Sequence, residues 1–374
     1  MSSRPRKLLV AITAHGFGHA TRTQEVVKEL RRLRPDLEIV ISSAVPERFF
    51  QDRVGTRVLH RHQHYEPGTV QKSCFEVDRE ATRKAYEQHR LERPAMLRSE
   101  IDYIRREDFS GLLADIPALP LEAAHRVGIP SAAIWNFTWD WILEPILRPG
   151  HDGATSFSDL LAELRAAYGR AGLHLKLPFS PVKASLAGVE AAPLVGRRSM
   201  VSREVTLERI GFDPTDPRPL VLVAMGGWDC SSWKPVVVKG APGFRFLVVG
   251  KVPLDVRTAL RTIPTELEPG YTFFDLVRAA DVVLSKPGYG IASECVVNRT
   301  PLLGVERRDF LEIPELLRDL NELGPFVEIS LADFFAGRWE NSLRSILECP
   351  RPWKPIPENG AREIAERLCS FFNL

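Results

Sequence analysis

Two glycine-rich loops constrain this chain more than any other feature. They are Ala14-His15-Gly16-Phe17-Gly18-His19-Ala20 near its start and Ser285-Lys286-Pro287-Gly288-Tyr289-Gly290-Ile291-Ala292-Ser293-Glu294 in its second half. Each follows a short apolar run and opens a stretch of helical character. Glycine at a strand-to-helix turn lets the backbone approach an anion closely, and the N–H groups of the helix start attract negative charge. A single loop of this kind is a weak signal. One in each half predicts two facing α/β domains with a phosphate-bearing ligand in the cleft between them.

The 374 residues are enough for two domains, each with its own core. Lys plus Arg (50) nearly balances Asp plus Glu (48), so no general basic field points to nucleic acid, and any anion site must be local. The five cysteines, Cys74, Cys230, Cys295, Cys349 and Cys369, include no C-x-x-C pair, which argues against a disulfide framework and a zinc site and for a reducing cytoplasm. The start, Arg4-Pro5-Arg6-Lys7 and the apolar residues after it, imitates a signal peptide. Its apolar run is short and breaks at His15, so it reads as a buried first strand. No apolar stretch approaches a membrane span.

Residues 8–13 suit a parallel strand covered on both faces, and residues 21–33 a helix with Val26, Val27, Leu30 and Leu33 on one side. With a strand at 37–42 these make a β-α-β unit. Further strands are expected at 111–114 and 131–135, around a helix at 121–127. Residues 74–106 are highly charged and helix-compatible, with Arg79, Arg83, Lys84, Arg90 and Arg93, either a solvated helical face or an anion-binding lid. Residues 178–193 are rich in Pro, Ala, Ser and Gly, which places the domain joint there. The division is 1–180, 181–355 and a terminal helix in 356–374. The second domain is expected to have strands at 220–224, 246–249, 282–284 and 301–305, a helix start at 292–297 and a final amphipathic helix at 361–372.

The stretches His15-Gly16-Phe17-Gly18-His19-Ala20-Thr21-Arg22, Asn136-Phe137-Thr138-Trp139-Asp140, Gly226-Gly227-Trp228, Lys286-Pro287-Gly288-Tyr289-Gly290 and Arg307-Arg308-Asp309-Phe310 give the chain a family likeness. It resembles GT-B glycosyltransferases of two Rossmann-like domains, and more closely the N-terminal, glycosyltransferase-like region of plant L-arabinokinase. The sugar-kinase domain of arabinokinase finds no room after Cys349, so sugar phosphorylation is not implied. The resemblance implies an inverting transfer from a nucleotide sugar, expected to be UDP-linked, to a small soluble acceptor. The nucleotide sugar is then a co-substrate, and no cofactor is needed. A nucleotide-sugar epimerase or hydrolase, drawing on Asp115, Asp140 and Glu144, and a non-catalytic sensing module are the rival readings.

Such a transfer needs a base for the acceptor, a clamp for the departing diphosphate and contacts that orient the sugar. By resemblance His19 is the base, and Asp115, at the end of the strand 111–114, holds its other nitrogen. His15 is the competing base or a diphosphate contact. Gly18 and the loop Gly226-Gly227, with Gly288 and Gly290, are expected on the diphosphate, and Lys286 adds a cation where similar natural-product enzymes carry a histidine. Glu294 is expected on the ribose, as the glutamate is in similar enzymes. Arg307 and Arg308 are placed on the diphosphate and Asp309 on the sugar, with a surface salt-bridge cluster as the alternative. Trp135, Trp139 and Trp141 around Asp140 form either an acceptor wall or core packing. No Asp-x-Asp sequence supports a divalent-cation site, so transfer is expected to be metal-independent. The terminal helix is expected to cross back to the first domain, as it does in similar enzymes.

Overall fold

The computed structural model describes residues 6–50, 58–148, 157–181, 186–256, 259–264, 270–357 and 359–374. The chain forms two compact units. Residues 1–70, 77–195 and 359–374 make unit 1, and residues 71–76 and 196–358 make unit 2. The junction falls after residue 195 rather than at 180, because residues 189–191 still pair with the sheet of unit 1. Residues 71–76, expected in the first domain, belong to unit 2.

The strands of the first half are β1 (Lys7–Ile12), β2 (Glu38–Ser43), β3 (Val58–His62), β4 (Gln71–Ser73), β5 (Glu76–Val77), β6 (Gly111–Asp115), β7 (Ser131–Trp135), β8 (Leu173–Lys176) and β9 (Val189–Ala191). Seven of them form one sheet in the order β3-β2-β1-β6-β7-β8-β9, with every pair parallel, while β4 and β5 pair separately. Parallel strands carry helices on both faces, which is why β1, β6 and β7 read as unbroken apolar runs and are buried along almost their whole length. The winding reverses between β1 and β6, the crevice where open α/β sheets place their sites.

The first helix, Phe17–Leu33, starts four residues before the expected position. Gly16 at its N-cap takes φ 104°, a conformation open to glycine at little cost, and so turns the chain directly from β1 into the helix. The charged stretch becomes a helix, Arg79–Glu107, capped by Asp78. Several of its cations serve unit 1 itself. Arg93 is buried against Glu122 and Glu163 at 2.8 and 2.7 Å, and Arg79 donates to the Pro145 carbonyl at 2.6 Å.

The last helix, Gly360–Phe371, packs on the helix Phe17–Leu33 within unit 1 and buries Ile364, Leu368 and Phe372. The neighbouring strands are shaped to receive it. A Cβ on Gly111 would stand 2.6 Å from the Phe372 ring, and one on Gly172 2.9 Å from the Phe371 ring.

The strands of the second half are β10 (Leu220–Ala224), β11 (Val236–Val237), β12 (Arg245–Val249), β13 (Leu254–Asp255), β14 (Leu260–Ile263), β15 (Val282–Ser285), β16 (Leu302–Val305) and β17 (Phe326–Ile329). Six form a parallel sheet, β14-β12-β10-β15-β16-β17, the Rossmann order 3-2-1-4-5-6. The reversal lies between β10 and β15. Those are the strands that end at Gly226-Gly227 and at Lys286.

Candidate active site

In unit 1, β1 and β6 are neighbours in register, with Ile12 opposite Asp115. The loop after β1 therefore turns over the end of β6. His19, in the first turn of the following helix, meets Asp115 with Nδ1 3.1 Å from Oδ1. Asp115 is fully buried and His19 is 7% exposed. Burial pushes the Asp115 carboxyl up, but Arg22 and the hydrogen bonds from His19 and Arg22 outweigh it and hold the group well below the usual carboxylate range. An ionised carboxylate only accepts, so His19 Nδ1–H donates to it and Nε2 keeps its lone pair. Burial first, and Arg22 second, push the imidazole below its ordinary value, against the opposing pull of Asp115. The result is a neutral, oriented imidazole near neutral pH, the state a general base requires.

The carboxylate has more partners than the pairing expected from sequence. Arg22 donates to it through two nitrogens, at 2.8 and 2.5 Å, and to Asn136 Oδ1 at 2.7 Å, while the Thr23 hydroxyl also donates to it. His19, Arg22 and Thr23 lie at i, i+3 and i+4, one face of one helix. A helix read as starting at residue 21 leaves His19 outside it and hides this spacing. Ile116, next to Asp115, has φ 84°, an outlier for a β-branched residue, and its carbonyl is held by the Tyr168 hydroxyl at 2.6 Å.

His15 sits differently. Its Nε2 meets the Thr69 hydroxyl at 3.0 Å, its edge packs on Trp139 with centroids 5.1 Å apart, and a Cβ on Gly68 would fall 2.4 Å from its Nδ1. It is a ring wedged between Gly68, Thr69 and Trp139. Trp135 and Trp139 are 2% and 1% exposed, so for them core packing replaces the acceptor wall. The aromatic residues of this segment support the two histidines: Phe137 packs edge-on against His19 and Trp139 against His15. Asp140 is buried and held by Arg165 at 3.3 Å, and Glu144 pairs with the same arginine at 3.0 Å. Gly18 lies inside the first helical turn of unit 1 rather than in the loop before it.

In unit 2, Gly226 and Gly227 take φ 62° and 79°, successive positive-φ residues in the turn after β10 that glycine adopts at little cost. Lys286 lies against them: its Nζ is 3.8 Å from the position of a Gly226 Cβ. Burial, with Arg307 as the second cause, brings the Lys286 ammonium down to about 8. Gly288 caps the helix Tyr289–Asn298, whose first N–H groups open at this loop, and Gly290 lies in its first turn. Arg307 reaches the loop from below, donating to the Pro287 carbonyl at 3.2 Å and to the Cys74 carbonyl at 3.1 Å, with its guanidinium 3.4 Å from the Phe310 ring centroid. The sequence gives no sign that Cys74 holds this arginine, because the two are far apart in the chain.

Three of the expected residues of unit 2 stand as follows. Arg308 is exposed and pairs with Glu306 at 3.0 Å, the surface salt bridge rather than a loop contact. Asp309, exposed at φ 62°, stands in the turn beyond it. Glu294 is 2% exposed and accepts from Arg197 Nε at 2.6 Å, so it is part of the packed interior.

Two Rossmann-like units with sites at their switch points define a class, the GT-B fold. The chain aligns with a kitacinnamycin glycotransferase at 15% identity and a TM-score of 0.62, over 99% of this chain and 100% of that one. A UDP-glucosyltransferase from Polygonum tinctorium, capable of glucosylating indoxyl, aligns at 12% identity and a TM-score of 0.61 over 100% of both chains. The calicheamicin glycosyltransferase aligns at 16% and 0.59, over 99% of this chain and 95% of that one. Among curated proteins, the L-arabinokinase of Arabidopsis thaliana is 28% identical over 370 residues, which is 96% of this chain and 33% of that protein. The chain thus spans about a third of this relative's length. No family model matches the chain.

Proposed function

We propose that the protein is a glycosyltransferase that moves a sugar, with inversion, from a UDP-linked donor to a small acceptor. The observation that carries this reading is the neutral, carboxylate-held His19, with Nδ1 3.1 Å from Asp115 Oδ1 at the switch point of unit 1. The Nε2 lone pair takes the proton of an acceptor hydroxyl as its oxygen attacks the anomeric carbon. The C–O bond to the nucleoside diphosphate breaks on the opposite face, which inverts the configuration. Unit 2 supplies the charge acceptors for the departing diphosphate: the Gly226-Gly227 turn, the N–H groups after Gly288, Lys286 and Arg307. These cations support transfer without a metal. Glu294, kept in place by Arg197, is the ribose contact of the reading. The free cysteines fit a cytoplasmic setting.

The reading is tested by donor consumption, with UDP-glucose and its relatives and a panel of hydroxyl acceptors that begins with L-arabinose, the sugar in the name of the curated relative. His19→Ala should cut turnover by about 10²- to 10⁴-fold with UDP affinity nearly unchanged. Full turnover in a folded His19→Ala variant would remove the base.

A further inference from the structure

Tyr168 closes the helix Ser158–Tyr168 of unit 1 and is 1% exposed. Its hydroxyl is the meeting point of two loops. It donates to the Ile116 carbonyl at 2.6 Å and accepts from the Trp139 backbone N–H at 3.1 Å. A phenolic hydroxyl has one proton to give, so donating to Ile116 leaves its lone pairs for Trp139. Burial raises the hydroxyl well above its ordinary pKa, so the proton stays in place. Both bonds meet a local need. Trp139 is the first residue of the helix Trp139–Leu147, whose N-cap Thr138 makes no side-chain cap hydrogen bond, and the Tyr168 oxygen satisfies one of the N–H groups that a helix start leaves open. Ile116 is buried and holds φ 84°, which a β-branched residue keeps only where its surroundings fix it.

The two loops lead to the same residue. Ile116 follows Asp115, whose own carbonyl accepts from the Thr13 N–H at 3.1 Å and whose carboxylate holds His19 Nδ1. From the other side, Trp139 packs on Phe137 with centroids 5.2 Å apart, and Phe137 packs edge-on against the His19 ring at 5.5 Å. One hydroxyl thus touches both the loop of the carboxylate that orients the imidazole and the loop of the ring that backs it. We propose that Tyr168 is a positioning residue for His19, setting through Ile116 and Trp139 the angle and the tautomer in which the base meets the acceptor. Its effect on turnover rests on the glycosyltransferase reading, while its effect on His19 itself does not. A tyrosine kept only for packing would need its ring and not its oxygen.

Tyr168→Phe keeps the ring and removes the oxygen. Ring-nitrogen NMR of the histidines in the full chain reads the tautomer of His19: the wild type should show one neutral form, with the proton on Nδ1, and Tyr168→Phe a mixture of both. In turnover with the donor and acceptor that the wild type uses, Tyr168→Phe should lower kcat by about tenfold and change KM by less than about threefold. Ile364→Val, a loss of packing in the terminal helix of unit 1, should lower Tm and leave the His19 signals and kcat as they are. In a His19→Ala background Tyr168→Phe should cost no further kcat, since a residue that acts through the base has nothing left to act on. A para-aminophenylalanine at position 168 keeps a donor for Ile116 but is a poor acceptor for Trp139, so it should fall between the wild type and Tyr168→Phe, and it carries the test if Tyr168→Phe does not fold. The wild-type tautomer together with wild-type kcat in either folded variant would overturn the proposal, as would an equal loss of kcat on Tyr168→Phe with and without His19. Full turnover in His19→Ala, with the His19 tautomer altered in Tyr168→Phe, counts against the base of the proposed function instead and leaves the positioning of His19 standing.

Discussion

Arg22 holds both carboxylate oxygens of Asp115, at 2.8 and 2.5 Å, from the helical turn that follows His19. The aspartate that orients the histidine therefore has its charge met by an arginine before any reaction begins. In the proposed transfer, Asp115 acts chiefly by fixing the tautomer and angle of His19. Its support of an imidazolium is correspondingly weakened, since Arg22 opposes the same positive charge.

Removing Arg22 should consequently cost stability and change the histidine. Arg22→Met leaves a fully buried carboxylate without its cation and should destabilise by about 3–5 kcal/mol, measured by urea unfolding. In the folded fraction the His19 titration followed by NMR should move up, because one of the groups that depress it has gone.

Asp115→Asn should lower kcat with little effect on KM, by loss of the Nδ1–H tautomer, in any assay where His19→Ala also lowers it. Steady-state kinetics on both variants and their combination check this. A double variant no worse than His19→Ala alone shows that the two residues act as one unit.

Nucleotide affinity should depend on pH through Lys286. Its pKa near 8 is depressed from 10.5, so above pH 8 the ammonium loses its proton while the site is empty. Diphosphate binding favours the charged form, takes up a proton and weakens as pH rises from about 8 to 10. Calorimetric titration of UDP across that range should show the loss, and Lys286→Met should bind more weakly at neutral pH with a flatter profile.

Acid should destabilise unit 1 through His89, which is 6% exposed and pushed down to about 4 by burial and then by Arg93. Its folded pKa lies below the unfolded value of 6.5, so the unfolded chain takes up the proton first. Stability is complete above pH 6.5 and falls as pH drops towards 4, by about 3 kcal/mol at most from this one group. Thermal unfolding at pH 7 and pH 4.5 should show a smaller acid loss in His89→Gln than in the wild type.

Glu294→Gln separates recognition from packing. It keeps the volume and one oxygen toward Arg197, so Tm should fall less than in Glu294→Ala, while both should weaken UDP binding. A folded Glu294→Gln variant that binds UDP as the wild type does would take Glu294 out of the site.

Much of the framework was legible in the chain. The strands at 131–135 and 220–224 match the structure residue for residue, since short, fully buried parallel strands are written as apolar runs between turn residues. Both glycine loops and the pairing of His19 with Asp115 could also be read, the pairing through the family likeness. Other features left no local trace. Arg22 at Asp115 needed the true start of the helix, and Cys74 at Arg307 needed the excursion of residues 71–76 into unit 2.

The sequence by itself determined the type of layer, two parallel sheets covered by helices, and the positions of the glycine turns, because these follow from hydrophobic period and from backbone conformations that only some residues accept. The tertiary structure decided which polar groups are buried together. Whether Trp139 and Glu294 face a ligand or the interior, whether Lys286 is charged at neutral pH, and which cation meets Asp115 depend on desolvation and on partners brought close by strand order, and neither is encoded in any local stretch of the chain.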